Sequence, residues 1–241
     1  FQPDWIGASR YPDSYLMGLV ETRCRMLGAR NDDEYLAFFK RLSLLDQGLL
    51  DRRSAPLLLV NGRRVVFHGV NRHETHPDRG RVFDEAWARE DLALMKRFNV
   101  NAIRTSHYPP HPRLLDLADE LGLWVILECD LETHGFEPGG WRDNPSDDPA
   151  WREALLDRIE RTVERDKNHP SIVLWSLGNE SGTGQNLAAM ASWVHGRDPG
   201  RPVHYEGDYA GAYTDVYSRM YSSVPETASI GRDDSGALLF G

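Results

Sequence analysis

From residue 56 onward the chain alternates short apolar runs with amphipathic stretches of helical period. Val65-Val66-Phe67-His68-Gly69-Val70, Ala102-Ile103-Arg104-Thr105, Trp124-Val125-Ile126-Leu127 and Ile172 to Leu177 read as strands. Val203-His204-Tyr205 and Asp215-Val216-Tyr217 read as two more. Helical patterns separate them: Asp84 as a cap for a helix to about Phe98, then Pro112 to Leu121, Trp151 to Lys167 and Leu187 to His195. Ala88, Leu92, Met95 and Phe98 would line the inner face of the first helix, with Lys96 and Arg97 in its last turn. A chain that repeats strand then helix builds a parallel sheet.

The residues that follow each strand narrow the fold further. Asn71, Arg72, His73 and Glu74 follow the first strand, and Ser106, His107 and Tyr108 the second. Asp130, Glu132 and His134 follow the third, Asn179 and Glu180 the fourth, Glu206 and Asp208 the fifth, and Tyr221 the sixth. Polar, chemically capable groups after successive strands favour a (β/α)8 TIM-type barrel, which gathers strand C-terminal ends around one mouth, over a doubly wound sheet. About six of the eight strands of such a barrel are legible, so the α/β barrel is expected to be incomplete. Residues 54–241 form this expected partial domain. Residues 1–53 differ: no clear period to Arg30, then a helical stripe of Tyr35, Phe38, Phe39, Leu42 and Leu45 between Asp33 and Leu50. That segment is too short for a β-sandwich of about 100 residues.

Composition excludes several roles. A net charge of −9 argues against a nucleic-acid or anionic-membrane surface. Cys24 and Cys129 provide no disulfide framework, and Cys129 sits in an apolar run as a buried thiol. No apolar stretch is long enough to span a bilayer and no secretory signal pattern is visible, so a cytoplasmic location is the default expectation.

The run Ile172-Val173-Leu174-Trp175 breaks into Asn179-Glu180 and a glycine-rich loop. A carboxylate at the tip of a buried strand is where an α/β barrel keeps catalytic groups. The plainer alternative is that Glu180 caps the helix near Gln185. Glu132 and His134 are two apart, which in extended chain points both side chains the same way. With Glu180 they make two carboxylates and one imidazole, an oxygen-rich set suited to Mg²⁺, whereas Zn²⁺ favours further His or Cys. The alternative is a His–Glu hydrogen bond without metal. Trp124, Trp141, Trp175, Tyr108 and Tyr221 could offer an aromatic platform to a sugar ring, with core packing preferred for Trp124 and Trp175 inside strands.

Gly69-Val70-Asn71-Arg72-His73-Glu74 and Arg104-Thr105-Ser106-His107-Tyr108-Pro109 resemble glycoside hydrolase family 2. So do Arg165-Asp166-Lys167-Asn168-His169-Pro170-Ser171 and Trp175-Ser176-Leu177-Gly178-Asn179-Glu180-Ser181. Glu132-Thr133-His134-Gly135, Gly178-Asn179-Glu180-Ser181-Gly182 and Tyr205-Glu206-Gly207 bring the resemblance closest to the family's β-galactosidases, from about Leu57 onward. The resemblance implies a retaining glycosidase acting on terminal β-D-galactose residues. Glu180 would be the general acid/base, and Asn179 would hold the substrate's 2-hydroxyl. Glu132, His134 and Glu180 would bind Mg²⁺, with Na⁺ a further candidate in the full-length enzyme. His73 and His107 would stabilise the transition state, and Tyr221 would contact the nucleophile.

The family's nucleophile is a glutamate in a Cys-Glu-Tyr-like motif after the seventh strand, and no such motif occurs up to Gly241. The expectation is therefore a barrel fragment, inactive alone, that supplies the acid/base and metal half of a site. Glu206 and Asp208 are the nearest candidates for a substitute nucleophile, though attack demands placement within about 0.5 Å. An unclosed barrel leaves a strand edge uncovered, which predicts a homo-oligomer or a complementing chain. The alternatives are a catalytically incomplete binding or complementation module, and a β-glucuronidase- or β-mannosidase-like relative.

Overall fold

The computed structural model describes residues 58–61 and 63–230, together with the backbone of the strand Leu238–Phe240. The helical stripe expected over residues 33–50 and the boundary expected near residue 53 lie outside these residues. The elements begin with β1 (Leu59–Val60), β2 (Arg63–Arg64), β3 (Gly69–Arg72), α1 (Glu85–Arg97), β4 (Ala102–Thr105), α2 (Pro112–Leu121) and β5 (Trp124–Glu128). After β5 come α3 (Arg152–Asp166), β6 (Ile172–Ser176), α4 (Gln185–Arg197), β7 (Val203–His204), β8 (Val216–Ser218), α5 (Val224–Ile230) and β9 (Leu238–Phe240). Short 3₁₀ turns at His134–Gly139 and Pro149–Trp151 lie between β5 and α3.

The described residues divide into two compact units, one holding 67–106 and 110–124, the other holding the rest. In the first unit β3 and β4 pair in parallel, Gly69 opposite Ala102 and Arg72 opposite Thr105. Asp84 starts α1 by accepting the Trp87 N–H at 2.8 Å, satisfying one orphan donor of the first turn. Ala88, Leu92 and Met95, spaced four and three apart, form its buried stripe. Pro112 pre-sets the first turn of α2, and Gly122 ends it in the left-handed conformation at φ 69°.

The strand expected over 65–70 begins later, at Gly69. The Val65 N–H is used by Leu58 O at 3.0 Å, extending the β1–β2 hairpin, and the His68 N–H by the Asn101 side chain at 2.7 Å. The Val65 and His68 donors are therefore spent elsewhere before parallel pairing starts.

In the second unit β5, β6 and β7 pair in parallel in chain order. Every residue of β6 is buried, as its Ile-Val-Leu-Trp-Ser composition demands of a strand covered on both faces. Helices α3 and α4 pack together, and each buries an apolar stripe: Leu155, Ile159 and Val163 on one, Leu187, Met190 and Val194 on the other. Strands β8 and β9 pair in parallel, Val216 opposite Leu238. Cys129 is fully buried, and burial pushes its thiol up to about 12. No helix among the described residues is long and apolar enough to cross a membrane.

Candidate active site

Register sets the floor of the site. Glu128 lies opposite Ser176, and Ser176 opposite His204, so the last residues of β5, β6 and β7 stand side by side. Parallel neighbours in register present side chains to the same face. The Ser176 hydroxyl donates to Glu128 Oε2 at 2.7 Å, and His204 Nδ1 lies 2.9 Å from the Ser176 oxygen. Serine has one hydroxyl proton, and it goes to Glu128, so the His204 Nδ1–H is the donor to Ser176. His107 Nδ1 sits 2.7 Å from the other Glu128 oxygen. The fully buried Glu128 carboxylate thereby orients two imidazoles, one directly and one through a hydroxyl. Burial of a carboxylate is tolerable only with such partners. Glu128, Ser176 and His204 escaped the sequence reading because they close apolar runs, where a lone polar residue is the ordinary strand terminus. Their signal was a shared strand-end position.

The loops past β5 and β6 carry the pairing one step further. Glu132 bridges Asn179 in parallel, and the Asn179 N–H reaches Leu131 O at 2.8 Å. Gly178 makes this approach feasible: a Cβ there would lie 2.7 Å from the Leu131 carbonyl oxygen. Glu180 follows in the left-handed region, at φ 39°. Its N–H donates to Glu206 Oε1 at 2.7 Å, and its carboxylate lies 3.2 Å from His134 Nδ1. His134 Nε2 lies 2.7 Å from Glu137. The Glu137 hydrogen bond, then the charges of Glu180 and Glu132, hold the His134 pKa above its ordinary value. Trp141 stacks beside His134 with ring centroids 6.5 Å apart.

The Glu180 loop is braced throughout. Ser181 Oγ accepts the Thr133 N–H at 3.0 Å, and Asn144 Nδ2 donates to Ser181 O at 2.7 Å. The Tyr205 hydroxyl accepts the Ser181 N–H at 2.9 Å and donates to Gly182 O at 2.7 Å. Burial, then the Glu206 charge, drives the Tyr205 pKa upward, so the hydroxyl keeps its proton. Glu180 does not cap α4. Gly184 occupies that position, and the Gln185 N–H goes to Asp147 at 3.0 Å.

The structure gathers His107, Glu132, His134, Asn179 and Glu180 in the second unit. His73 follows β3 in the first unit, and Asn71 and Arg72 lie inside β3 rather than beyond it. Tyr221 is 79% exposed at φ 57°. The extended geometry expected from Glu132 to His134 does not hold, because Thr133 turns at ψ 28° and His134 opens a 3₁₀ turn. Glu206 is 3% exposed and engaged with the Glu180 backbone, a geometry unsuited to nucleophilic attack. Asp208 instead organises its own loop, accepting the N–H groups of Ala212, Tyr213 and Thr214. Trp175 is core: fully buried, its ring N–H bound to Asp198 at 2.9 Å and the Arg201 guanidinium over its face.

The donors expected for Mg²⁺ fit it in kind, and His134 and Glu180 already meet. Among the described residues no group of three His, Cys, Asp or Glu side chains is arranged as a closed cluster. His134 is held between the carboxylates of Glu137 and Glu180.

Parallel strands alternating with helices, with polar side chains gathered at and past the strand C-terminal ends, define a domain of the α/β-barrel class. Residues 53–235 match the model of the glycosyl hydrolases family 2 TIM barrel domain, and the chain belongs to that family. It is 84% identical over 183 residues to a β-galactosidase of Arthrobacter sp. (strain B7), covering 76% of this chain and 18% of that protein. A β-galactosidase of Pectobacterium atrosepticum is 50% identical over 174 residues, covering 72% of this chain and 16% of the relative. The chain thus spans less than a fifth of these relatives' length. Among solved structures, the apo Bacteroides uniformis β-glucuronidase 3 superposes with a TM-score of 0.56 at 26% identity, covering 68% of this chain and 21% of that one.

Proposed function

We propose that this chain carries the acid/base half of a retaining β-galactosidase-type site, with Glu180 as proton donor and acceptor. The supporting observation is the presentation of Glu180: a carboxylate beyond a buried strand, 22% exposed and 3.2 Å from His134. The long identity to a β-galactosidase supports galactose as the sugar. A retaining mechanism needs a second carboxylate about 5 Å from the first to attack the anomeric carbon. That nucleophile is assigned to a segment beyond the matched region. Glu180 protonates the departing glycosidic oxygen, then takes a proton from the water that releases the sugar. Asn179 holds the 2-hydroxyl. His107, whose Nδ1 is held by Glu128, is assigned a transition-state-stabilising role, and the family resemblance gives His73 the same role. Tyr221 contacts the nucleophile. Glu132, His134 and Glu180 would hold Mg²⁺, which would supply a fixed positive charge to the site.

The test is hydrolysis of nitrophenyl and alkyl β-galactosides, with the chain alone and joined to the segments its relatives carry beyond the matched region. The joined protein is expected to be active and the chain alone inactive. Glu180→Gln should cost about 10²- to 10⁴-fold on alkyl leaving groups and far less on activated ones. Equal losses on both, or activity of the chain alone that survives the substitution, sinks the reading. The glucuronidase neighbour motivates β-glucuronides as the competing substrate in the same assay.

A further inference from the structure

Tyr205 and Glu206 together reach three successive residues of the Glu180 loop. Glu206 Oε1 accepts the Glu180 N–H at 2.7 Å. The Tyr205 hydroxyl accepts the Ser181 N–H at 2.9 Å and donates to Gly182 O at 2.7 Å. Both side chains are nearly or fully buried, and both residues directly follow β7. Gly207 is part of the same arrangement: a Cβ there would lie 2.7 Å from the Tyr205 ring. Glu180 itself is held at φ 39°, a conformation that non-glycine residues adopt rarely and only when surroundings impose it.

We infer that Tyr205 and Glu206 are positioning residues that clamp the backbone of residues 180–182 and so aim the Glu180 carboxylate. This rests on the reading of Glu180 as proton donor. A left-handed residue with one backbone anchor could relax toward the helical or extended region. Anchors on three consecutive residues, all from one rigid strand end, remove that freedom. The side chain then leaves the chain in one direction, which is what proton transfer to a leaving oxygen requires. The role asks of Glu206 an acceptor atom, not a negative charge.

That distinction gives the experiment. Glu206→Gln keeps an acceptor oxygen, Glu206→Ala removes it, and Tyr205→Phe removes the second anchor. Amide exchange and Cα/Cβ shifts of residues 180–182 are read by NMR on the chain itself, which needs no activity. The expected result is wild-type shifts and protection in E206Q, with protection of the Glu180 amide falling on the order of 10-fold or more in E206A. Y205F should lose protection at Ser181, and it carries the test if E206A does not fold. In the joined protein, E206A should lose about 100-fold in kcat on alkyl galactosides with KM little changed, and E206Q should restore it. E206Q as impaired as E206A, or unchanged Glu180 shifts in E206A, overturns the clamp. A joined wild type without galactosidase activity overturns the proposed function instead, while the NMR result still decides the clamp.

Discussion

At the scale of single residues, carboxylates with similar sequence settings do different work. Glu180, Glu206 and Asp208 all follow strands, and only geometry separates them. Glu180 presents its carboxylate to His134, Glu206 spends an oxygen on a backbone N–H, and Asp208 closes a loop. For Asp208, burial pushes the pKa up, but the Tyr213, Ala212 and Thr214 hydrogen bonds outweigh it and the net shift is downward. A lowered folded-state pKa means the stabilisation is fully present above the unfolded value of about 3.9 and fades as pH falls through the folded one. Asp208→Ala should therefore cost about 2 kcal/mol in urea melts at pH 7, and the gap from wild type should narrow by pH 3. A gap unchanged at pH 3 would assign the loss to packing instead.

At the scale of elements, strand register makes the floor of the site. Glu128, Ser176 and His204 are far apart in sequence and adjacent because three parallel strands end level. Ser176→Ala removes the bridge between Glu128 and His204 while leaving strand propensity almost untouched. It should cost about 1–3 kcal/mol, measured as a shift in urea midpoint. It should also move the ¹⁵N shifts of the His204 ring. A stable variant with an unchanged His204 spectrum would contradict the proton order assigned here. Three helix ends, by contrast, were readable from local chemistry, whereas α4 runs two residues further at each end than its apolar pattern from Leu187 to His195 indicates. The Asp84 cap, Pro112 and Gly122 act within one turn of the chain, and each fell where expected. The first strand was misplaced because its apolar run looks paired while its donors belong to a hairpin and an asparagine side chain.

At the scale of the whole molecule, Cys129 reports on opening of the core beneath the site. Its thiol is fully buried and held up to about 12, so reagent reaches it only after structure opens. Labelling followed by peptide-resolved mass spectrometry should be slow in buffer and accelerate with urea in step with unfolding. Fast labelling in buffer would mean that β5 and its loop open locally. The family and the strand–helix alternation were legible in the sequence, because short ordered motifs and hydrophobic period are local properties of a chain. The sequence alone could not separate a capping Glu180 from a presented one, or reveal that Thr133 turns the chain between Glu132 and His134. Nor could it show that Glu206 is an anchor, or that Glu128 joins His107 to Ser176. Those outcomes depend on which residues meet across strands and loops, and hydrogen-bond partners distant in the chain are chosen only when tertiary packing brings their backbones into register.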